Sequence, residues 1–236
     1  MRLHVAGEWP GPIVLRRGLS LARARPWNDD ASDVSVRLAR GTAAFLAAAA
    51  GTLAEMTGGG VFSPALYPTA TTVWGDAGFR EHVRLDIMER RLDGGYGEQQ
   101  HPIRRAVDSD EAAIAEIDER TFEGFWRIGE LGIQEALTAT SRSIMLVADA
   151  GSEVAGYAVV GAQFGRSFLQ RIAVAPEHQG AGYGRSLLAR SMEWASERGT
   201  GTMVLNLRTE NEHARGFYER AGFVASGEHL TVLRFD

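Results

Sequence analysis

Three alternating glycines constrain this sequence more than any other feature: Gly180, Gly182 and Gly184 stand between an apolar segment and an amphipathic one. The apolar segment, residues 172–174, is β-compatible, and Pro176 ends it because proline has no N–H group to donate. Glycine adopts positive φ without strain, so successive backbone N–H groups can point into one concavity. A helix that begins directly after the glycines adds free N–H groups and the positive end of its dipole. The stretch therefore predicts a strand, an anion-binding loop and a helix, with phosphate or pyrophosphate as the anion.

Residue types distinguish between the glycine-rich loops that bind phosphates. A Walker loop requires a lysine, and this sequence contains none, since all 25 basic residues are arginine. The dinucleotide fingerprint G-x-G-x-x-G also fails, because no glycine follows Gly180 or Gly182 at the required spacing. The pattern Gln-x-x-Gly-x-Gly is present at Gln179, Gly182 and Gly184. In this pattern the sequence resembles the GNAT superfamily of acetyl-CoA-dependent N-acyltransferases. The alternative, from the glycines alone, is a flexible surface loop.

The resemblance implies a coenzyme site built on this strand and loop. The backbone of Ile172 and Val174 would pair with the pantetheine arm of acetyl-CoA, and a backbone N–H near Ala173 would stabilise an oxyanion. The residues expected to bind the coenzyme's pyrophosphate are Gln179, Gly180, Ala181, Gly182, Tyr183, Gly184, Arg185 and Ser186. Within this set, Arg185 would add a charge-assisted hydrogen bond and Ser186 a hydroxyl donor.

A second motif, in residues 205–223, resembles the asparagine, alanine, tyrosine and glycine-phenylalanine pattern of the same family. The resemblance implies that Asn211 hydrogen-bonds the coenzyme and that Tyr218 gives a proton to the leaving sulfur. Without the motif, Tyr218 reads as an aromatic side chain packed beside Phe217. The two motifs together cover residues 101–236, and they are most similar to the ribosomal-protein alanine acetyltransferase type.

No general base is evident. The positions that hold a carboxylate in related families correspond here to Phe168 and Asn206, and neither accepts a proton at neutral pH. Glu123 or Glu130 could act directly or through water, or the amine could arrive neutral. The following aromatic residues would wall the acceptor site or belong to the core: Phe122, Phe125 and Trp126.

Hydrophobic periodicity gives the order of elements. Strands are predicted over residues 13–15, 34–38, 61–66, 82–88, 103–107, 144–148, 154–160, 172–174, 203–207 and 229–235. Helices are predicted over residues 42–56, 111–122, 130–140 and 211–220, with one from directly after Gly184 to near Gly199 and a short one after Pro68. Residues 1–30 read as short strands broken by turns, and residues 94–100 as a linker. From residue 101 the order is that of the GNAT fold, a mixed α/β (α+β) fold in which helices flank a central mixed, mostly antiparallel sheet.

The predicted domains are a smaller N-terminal α/β domain over residues 1–97 and a catalytic domain over 98–236. A faint internal echo supports a truncated, degenerate GNAT unit in the first. Residues 45–46 align with 187–188, and residues 77–79 with 221–223. The alternative is an unrelated cap. The glycine loop has no counterpart in the echo, so the N-terminal domain is expected to bind no coenzyme of its own.

Composition excludes several other classes of function. A net charge of −5 without a basic run argues against nucleic acid or an anionic membrane as partner. No apolar run reaches membrane-spanning length and the start is no signal peptide, so the sequence predicts a cytoplasmic protein. Cysteine is absent and the six histidines are dispersed, so no metal is expected.

The resulting hypothesis is an N-acetyltransferase that moves an acetyl group from acetyl-CoA, its cosubstrate, to a primary amine by direct attack in a ternary complex. The acceptor is a small-molecule amine or a protein N-terminus, and the chain is a monomer or a homodimer. The alternative is a non-catalytic acetyl-CoA-binding regulatory module.

Overall fold

The computed structural model describes residues 2–27 and 32–236. Within these residues the strands are β1 (His4–Ala6), β2 (Ile13–Arg17), β3 (Ser20–Pro26), β4 (Val34–Arg40), β5 (Val61–Phe62), β6 (Phe79–Arg91), β7 (Ile103–Arg105), β8 (Arg142–Ala150), β9 (Glu153–Gln163), β10 (Arg166–Val174), β11 (Thr202–Arg208) and β12 (Val224–Phe235). The α-helices are α1 (Ala43–Thr57), α2 (Thr72–Asp76), α3 (Glu111–Thr121), α4 (Gly129–Thr138), α5 (Tyr183–Ser196) and α6 (Glu212–Arg220). Short 3-10 turns lie at Pro68–Ala70, Asp108–Asp110, Gly124–Trp126 and Pro176–His178.

The chain divides into two compact units. The first comprises Met1–Asp86 together with Glu228–Asp236, and the second comprises Ile87–Gly227. The long strands β6 and β12 therefore each begin in one unit and end in the other.

In the first unit, β1 to β4 form an antiparallel meander, and β5 lies parallel to β4. The end of β12 pairs antiparallel with β5, with Arg234 opposite Phe62. Helix α1 connects β4 to β5. It begins where Thr42 Oγ1 accepts a hydrogen bond from Phe45 N (3.3 Å), and it ends at Gly58, whose φ is 70°. The core of this unit includes Ile13, Leu15, Phe45, Leu46, Leu53 and Trp74.

In the second unit the strand order is β6-β11-β10-β9-β8-β7. Strand β10 is parallel to β11, whereas the pairs β7–β8, β8–β9 and β9–β10 are antiparallel. Strand β9 is buried on both faces. Ala158 and Val160 pack with α5, while Tyr157 and Val159 pack with α3 and α4. The predicted fold class, a mostly antiparallel mixed sheet flanked by helices, is confirmed.

The predicted order of elements from β7 onward is also confirmed. Element bounds differ where pairing with distant strands decides them. Strands β6 and β12 are longer than predicted, and the strand predicted over 61–66 reduces to β5, with Leu66 making an isolated bridge to Thr231. Strands β1 to β3 lie where short strands and turns were expected, although residue 1 and residues 28–30 lie outside the described residues.

The two units do not coincide with the predicted division into residues 1–97 and 98–236. The C-terminal end of β12 belongs to the first unit because it pairs with β5. Residues 94–100, predicted as a linker, belong to the second unit because the backbone of Gln100 is hydrogen-bonded to α5. The sequence contains no local signal for either pairing.

The internal echo has a structural counterpart. In each unit a helix joins two parallel strands: α1 joins β4 to β5, and α5 joins β10 to β11. Gly78 and Gly222 both have positive φ, 95° and 82°, and each precedes a buried phenylalanine, Phe79 and Phe223. The first unit therefore repeats part of the topology of the second.

Candidate active site

A gap opens in the sheet of the second unit where β10 and β11 separate. The two strands pair only from Arg166 to Phe168 on β10 and from Thr202 to Val204 on β11. The rest of β10 continues to pair with β9 alone. Among the residues that the structure describes, one edge of β10 therefore has no neighbouring strand beyond Phe168, and its backbone groups are open to a ligand that can pair like a strand.

The register of β10 decides which backbone groups face this open edge. Ala175 N donates to Ala155 O (2.9 Å), and hydrogen-bonded pairs alternate along an antiparallel ladder. Ala173 therefore directs its N–H toward β9, whereas Ile172 and Val174 face the gap. The two residues predicted to pair with pantetheine are thus oriented for it. The oxyanion donor was predicted near Ala173; the Ala173 N–H itself faces β9, and the neighbouring residues Ile172 and Val174 present their N–H groups on the open edge.

The loop between β10 and α5 carries a row of free backbone donors. Gly180 and Gly182 have φ of 79° and 96°, and Gly182 is the N-cap residue of α5. Within the described residues, none of the backbone N–H groups from Gly180 through Ala181, Gly182, Tyr183 and Gly184 to Arg185 donates a hydrogen bond. Arg185 is exposed and makes no ion pair in the part of the chain that the structure describes. This arrangement is suited to bind an anion of pyrophosphate size.

The Ser186 hydroxyl has a different role from the predicted one. It is fully buried, accepts hydrogen bonds from the backbone N–H groups of Gln100 (3.1 Å) and His101 (3.2 Å), and donates to Gly182 O (3.3 Å). All of its hydrogen-bonding capacity is used within the protein. The prediction that this hydroxyl donates to pyrophosphate is therefore wrong. Ser186 instead holds residues 100–101 against the glycine loop.

Side chains also donate hydrogen bonds to carbonyl groups in and beside the loop. Gln179 Nε2 donates to Val174 O (3.0 Å), and His101 Nε2 donates to Ala181 O (2.7 Å), which requires the proton to be on Nε2. The His101 ring stacks on Tyr183 with 3.8 Å between the ring centroids. Gln179 and Tyr183, both predicted to bind pyrophosphate, thus also help to fix the shape of the loop.

The remaining two predicted site residues, Asn211 and Tyr218, lie at the start of helix α6 and within it. Asn211 is its N-cap residue, and Asn211 Oδ1 accepts from Ala214 N (3.0 Å), which leaves the amide NH₂ as a donor. The Tyr218 side chain is buried against Phe217 and Phe223, and its hydroxyl makes no hydrogen bond within the described residues. Burial raises the pKa of Tyr218 well above its usual value, and the charge of Arg171 opposes part of that rise. The phenol is therefore protonated at neutral pH.

Helix α6 also lies against the glycine loop. A Cβ atom added at Gly184 would be 3.5 Å from Val174 Cγ2 and 3.7 Å from Phe217 Cζ. The end of β10, the start of α5 and the helix that carries Tyr218 therefore meet at one place.

A buried ion pair borders the other side of β10. Arg171 Nε and Nη2 lie 2.8 and 2.7 Å from Asp118 Oδ2, and the Tyr157 hydroxyl donates to the same oxygen. The guanidinium stacks on the Phe122 ring, with 3.3 Å between Arg171 Cζ and the ring centroid. Arg171 Nη2 also donates to Trp126 O (2.8 Å). Arg171 thereby fixes α3 and the Gly124–Trp126 turn beside the gap.

Neither residue at the two expected base positions can accept a proton, and the two candidate glutamates lie elsewhere. Phe168 is half-buried at the last position where β10 and β11 pair, and Asn206 is exposed on β11. Glu123 and Glu130 are both exposed near the ends of the Gly124–Trp126 turn and α4.

Within residues 2–27 and 32–236, no helix is both long and apolar enough to cross a membrane. No group of three or more histidine, aspartate or glutamate side chains there is arranged to hold a metal ion.

Comparisons with known proteins assign the family. The model of the acetyltransferase (GNAT) family matches residues 111–223. The L-amino acid N-acyltransferase MnaT of Escherichia coli (strain K12) is 30% identical over 143 residues, and the alignment covers 53% of this chain and 81% of that protein. The chain belongs to the acetyltransferase (GNAT) family.

Other GNAT relatives align over shorter stretches. The streptothricin acetyltransferase of Streptomyces lavendulae is 37% identical over 95 residues, which are 39% of this chain and 50% of that protein. The chain thus spans only about half of that relative. A ribosomal protein bS18 alanine N-acetyltransferase from Haemophilus influenzae is 28% identical over 110 residues, 47% of this chain and 72% of that protein. The predicted resemblance to that type of GNAT protein is confirmed.

A solved structure extends the likeness to both units. A tandem GNAT protein from the clavulanic acid biosynthesis pathway matches with a TM-score of 0.65 and 14% identity over 94% of this chain and 81% of that one. At this identity the likeness shows the fold alone. It supports a GNAT architecture of two units.

Three elements of the candidate site were not predicted from the sequence: the Arg171–Asp118 ion pair, the Tyr157 hydroxyl and the packing of residues 100–101. One signal was present. Asp118 falls on the same helical stripe as Ile114 and Phe122, where an acidic residue is costly without a buried partner.

The glycine loop generates a prediction about acetyl-CoA, the cosubstrate of GNAT acetyltransferases. Gly182→Val should abolish coenzyme binding, because a φ of 96° strains valine and the loop must change its conformation to relieve that strain. Calorimetric titration measures the loss. Gly151→Val is the matched control, since Gly151 also has positive φ (66°) but open space around it, and this variant should bind like the wild type. Unchanged affinity in Gly182→Val would exclude the loop as the coenzyme site.

The buried ion pair generates a prediction about stability. Asp118→Asn should lower the free energy of unfolding by about 3–5 kcal/mol, because it leaves the Arg171 guanidinium buried without a counter-charge. Urea denaturation measures the change. Glu119→Gln is the control: its exposed pair with Arg127 should contribute less than about 1 kcal/mol. Equal, small losses in both variants would show that the buried pair does not stabilise this part of the fold.

Proposed function

We propose that this chain is an N-acetyltransferase that moves the acetyl group of acetyl-CoA to a primary amine by direct attack in a ternary complex. The observation that carries the proposal is the convergence of an open strand edge with a row of free backbone donors. Ile172 and Val174 expose backbone groups that can pair with the amides of pantetheine, and the N–H groups of residues 180–185 can bind pyrophosphate.

Acetyl transfer requires the protein to stabilise a developing negative charge, to protonate the leaving sulfur and to take a proton from the amine nitrogen. The amine nitrogen attacks the thioester carbonyl, and the Ile172 N–H on the open edge would stabilise the negative charge that develops on the oxygen. A C–N bond forms and the C–S bond breaks. The buried, protonated Tyr218 would then give its proton to the sulfur and recover one from the nitrogen, directly or through water. The proposed coenzyme ligands otherwise remain the predicted ones, with Ser186 supporting the loop.

The chemical class of the amine acceptor is inferred from the names of the relatives. The relatives are named for an L-amino acid, for streptothricin and for a ribosomal protein alanine, so a small-molecule amine or a protein N-terminus fits the family. Phe168 and Asn206 supply no base. The amine would arrive neutral, or lose its proton to Glu123 or Glu130. We place this activity in the cytoplasm, on the absence of cysteine and of long apolar runs in the sequence.

The first unit is proposed to bind no coenzyme. Its helix α1 starts with Thr42, whose hydroxyl already accepts from Phe45 N (3.3 Å). A Cβ at Gly41 would lie 2.7 Å from Phe45 Cδ1, so that side chain fills the space before the helix. One coenzyme per chain is therefore expected.

The activity is tested by thiol release from acetyl-CoA against a panel of amines: amino acids, amino sugars, polyamines and peptides with free N-termini. Amine-dependent release, with the acetylated product identified by mass spectrometry, is the expected result. Coenzyme binding without release for any amine would favour the alternative, a regulatory module that binds acetyl-CoA.

Tyr218 generates a kinetic prediction. Tyr218→Phe should lower turnover by roughly 10²-fold and leave coenzyme affinity nearly unchanged, because only the proton donor is removed. Since its pKa is raised, the wild-type rate should show no fall around pH 10 from ionisation of this phenol. Tyr67→Phe, at an exposed tyrosine of the first unit, is the control. A wild-type rate in Tyr218→Phe would leave Tyr218 with a packing role only.

A further inference from the structure

Two arginines reach Trp126 from the two strands that separate. Arg171, on β10, donates from Nη2 to Trp126 O (2.8 Å). Arg208, at the end of β11, has its guanidinium carbon 5.3 Å from the centroid of the Trp126 ring. Since β10 and β11 no longer pair beyond Phe168 and Val204, Trp126 links them across the gap.

The two guanidinium groups differ in their electrostatic state. Arg171 has a carboxylate partner, Asp118, and only 11% of its side chain is exposed. The Arg208 guanidinium makes no ion pair and no hydrogen bond within residues 2–27 and 32–236, although the residue is half-buried. An arginine side chain offers five N–H donors, so Arg208 presents an unused positive charge and an unused set of donors at the gap.

The rest of this face of β11 adds no negative charge. Leu205 and Leu207 are buried in the core with α5 and α6, so Asn206 and Arg208 lie on the opposite face by strand alternation. Asn206 is exposed and neutral. An acceptor with a second positive charge would be repelled by Arg208, whereas an anionic group would be attracted to it.

We propose that the acceptor is a small amine that also bears a carboxylate, as an α-amino acid does, and that Arg208 binds this carboxylate beside the Trp126 ring. The inference rests on the proposed acetyl transfer and names its substrate class. A single guanidinium matches the planar, two-oxygen geometry of a carboxylate. Arg208 is thus a specificity-determining residue, and it takes no part in the proton transfers.

The test compares acceptors that differ only in this charge. Leucine, methionine and phenylalanine are each paired with their own carboxamide, and kcat/KM is measured for every pair. The acids should be favoured by about 10-fold or more, since hydrogen bonds between charged groups contribute differences of this order. The carboxamides hold the more easily deprotonated amine, so intrinsic reactivity favours them and cannot produce the expected preference.

Variants of Arg208 assign the preference to this side chain. Arg208→Gln should lower kcat/KM for the acids by about 10²-fold, chiefly through the KM of the acceptor, and leave the carboxamides and the KM of acetyl-CoA within about 2-fold. Arg208→Lys should lose less activity on the acids than Arg208→Gln, because lysine keeps the positive charge but lacks the two parallel N–H donors of the guanidinium. Arg105→Gln, at an exposed arginine on β7, is the matched control and should behave like the wild type.

Several outcomes would overturn the inference. Equal use of acids and carboxamides would do so, as would an Arg208→Gln variant that loses activity equally on both. Transfer to polyamines or peptides alone would overturn the substrate class and leave acetyl transfer established. Absence of thiol release with every amine would overturn the proposed function together with this inference.

Discussion

The ion pair between Arg171 and Asp118 is the interaction on which the proposed acceptor side depends. Two buried charges are stable only together, and here the Tyr157 hydroxyl and Ile128 N donate to the Asp118 carboxylate, while Trp126 O accepts from Arg171 Nη2. The pair joins β10 to α3, and its guanidinium stacks on Phe122. The turn that carries Trp126 is thereby fixed at the point where β10 loses its second neighbour. The charge pair thus holds the turn in place beside the gap between β10 and β11.

The proposed coenzyme side depends on an asymmetry between donors and acceptors in one loop. Within the part of the chain that the structure describes, the N–H groups of residues 180–185 donate no hydrogen bond, whereas three nearby carbonyl groups already accept one. Val174 O accepts from Gln179, Ala181 O from His101, and Gly182 O from Ser186. A carbonyl oxygen that pointed into the loop would repel a phosphate, so these side chains make the concavity positive without adding a formal charge.

The sequence predicted what depends on local patterns and missed what depends on distant pairing. Gln179, Gly182 and Tyr218 were selected as candidate site residues because motifs of fixed spacing contain them, and the order of helices and strands followed from periodicity. The direction of the Ala173 N–H depends on the register of β10 against β9, which local sequence does not encode. The role of Ser186 depends on Gln100, which lies 86 positions away. The ends of β6 and β12 likewise depend on partners remote in sequence.

The two units show why one helix entrance is suited to an anion and the other is not. Both units place a helix between two parallel strands, so the chain direction and the helix dipole are alike. At α1 the Thr42 hydroxyl occupies the Phe45 N–H, and the Phe45 ring lies against Gly41. At α5 the N-cap residue is Gly182, which has no side chain to accept a hydrogen bond, so the first N–H groups stay available. A side-chain cap stabilises a helix by using the donors that a ligand would need. The same topology can therefore be structural in one unit and suited to bind an anion in the other, according to the residues at the start of the helix.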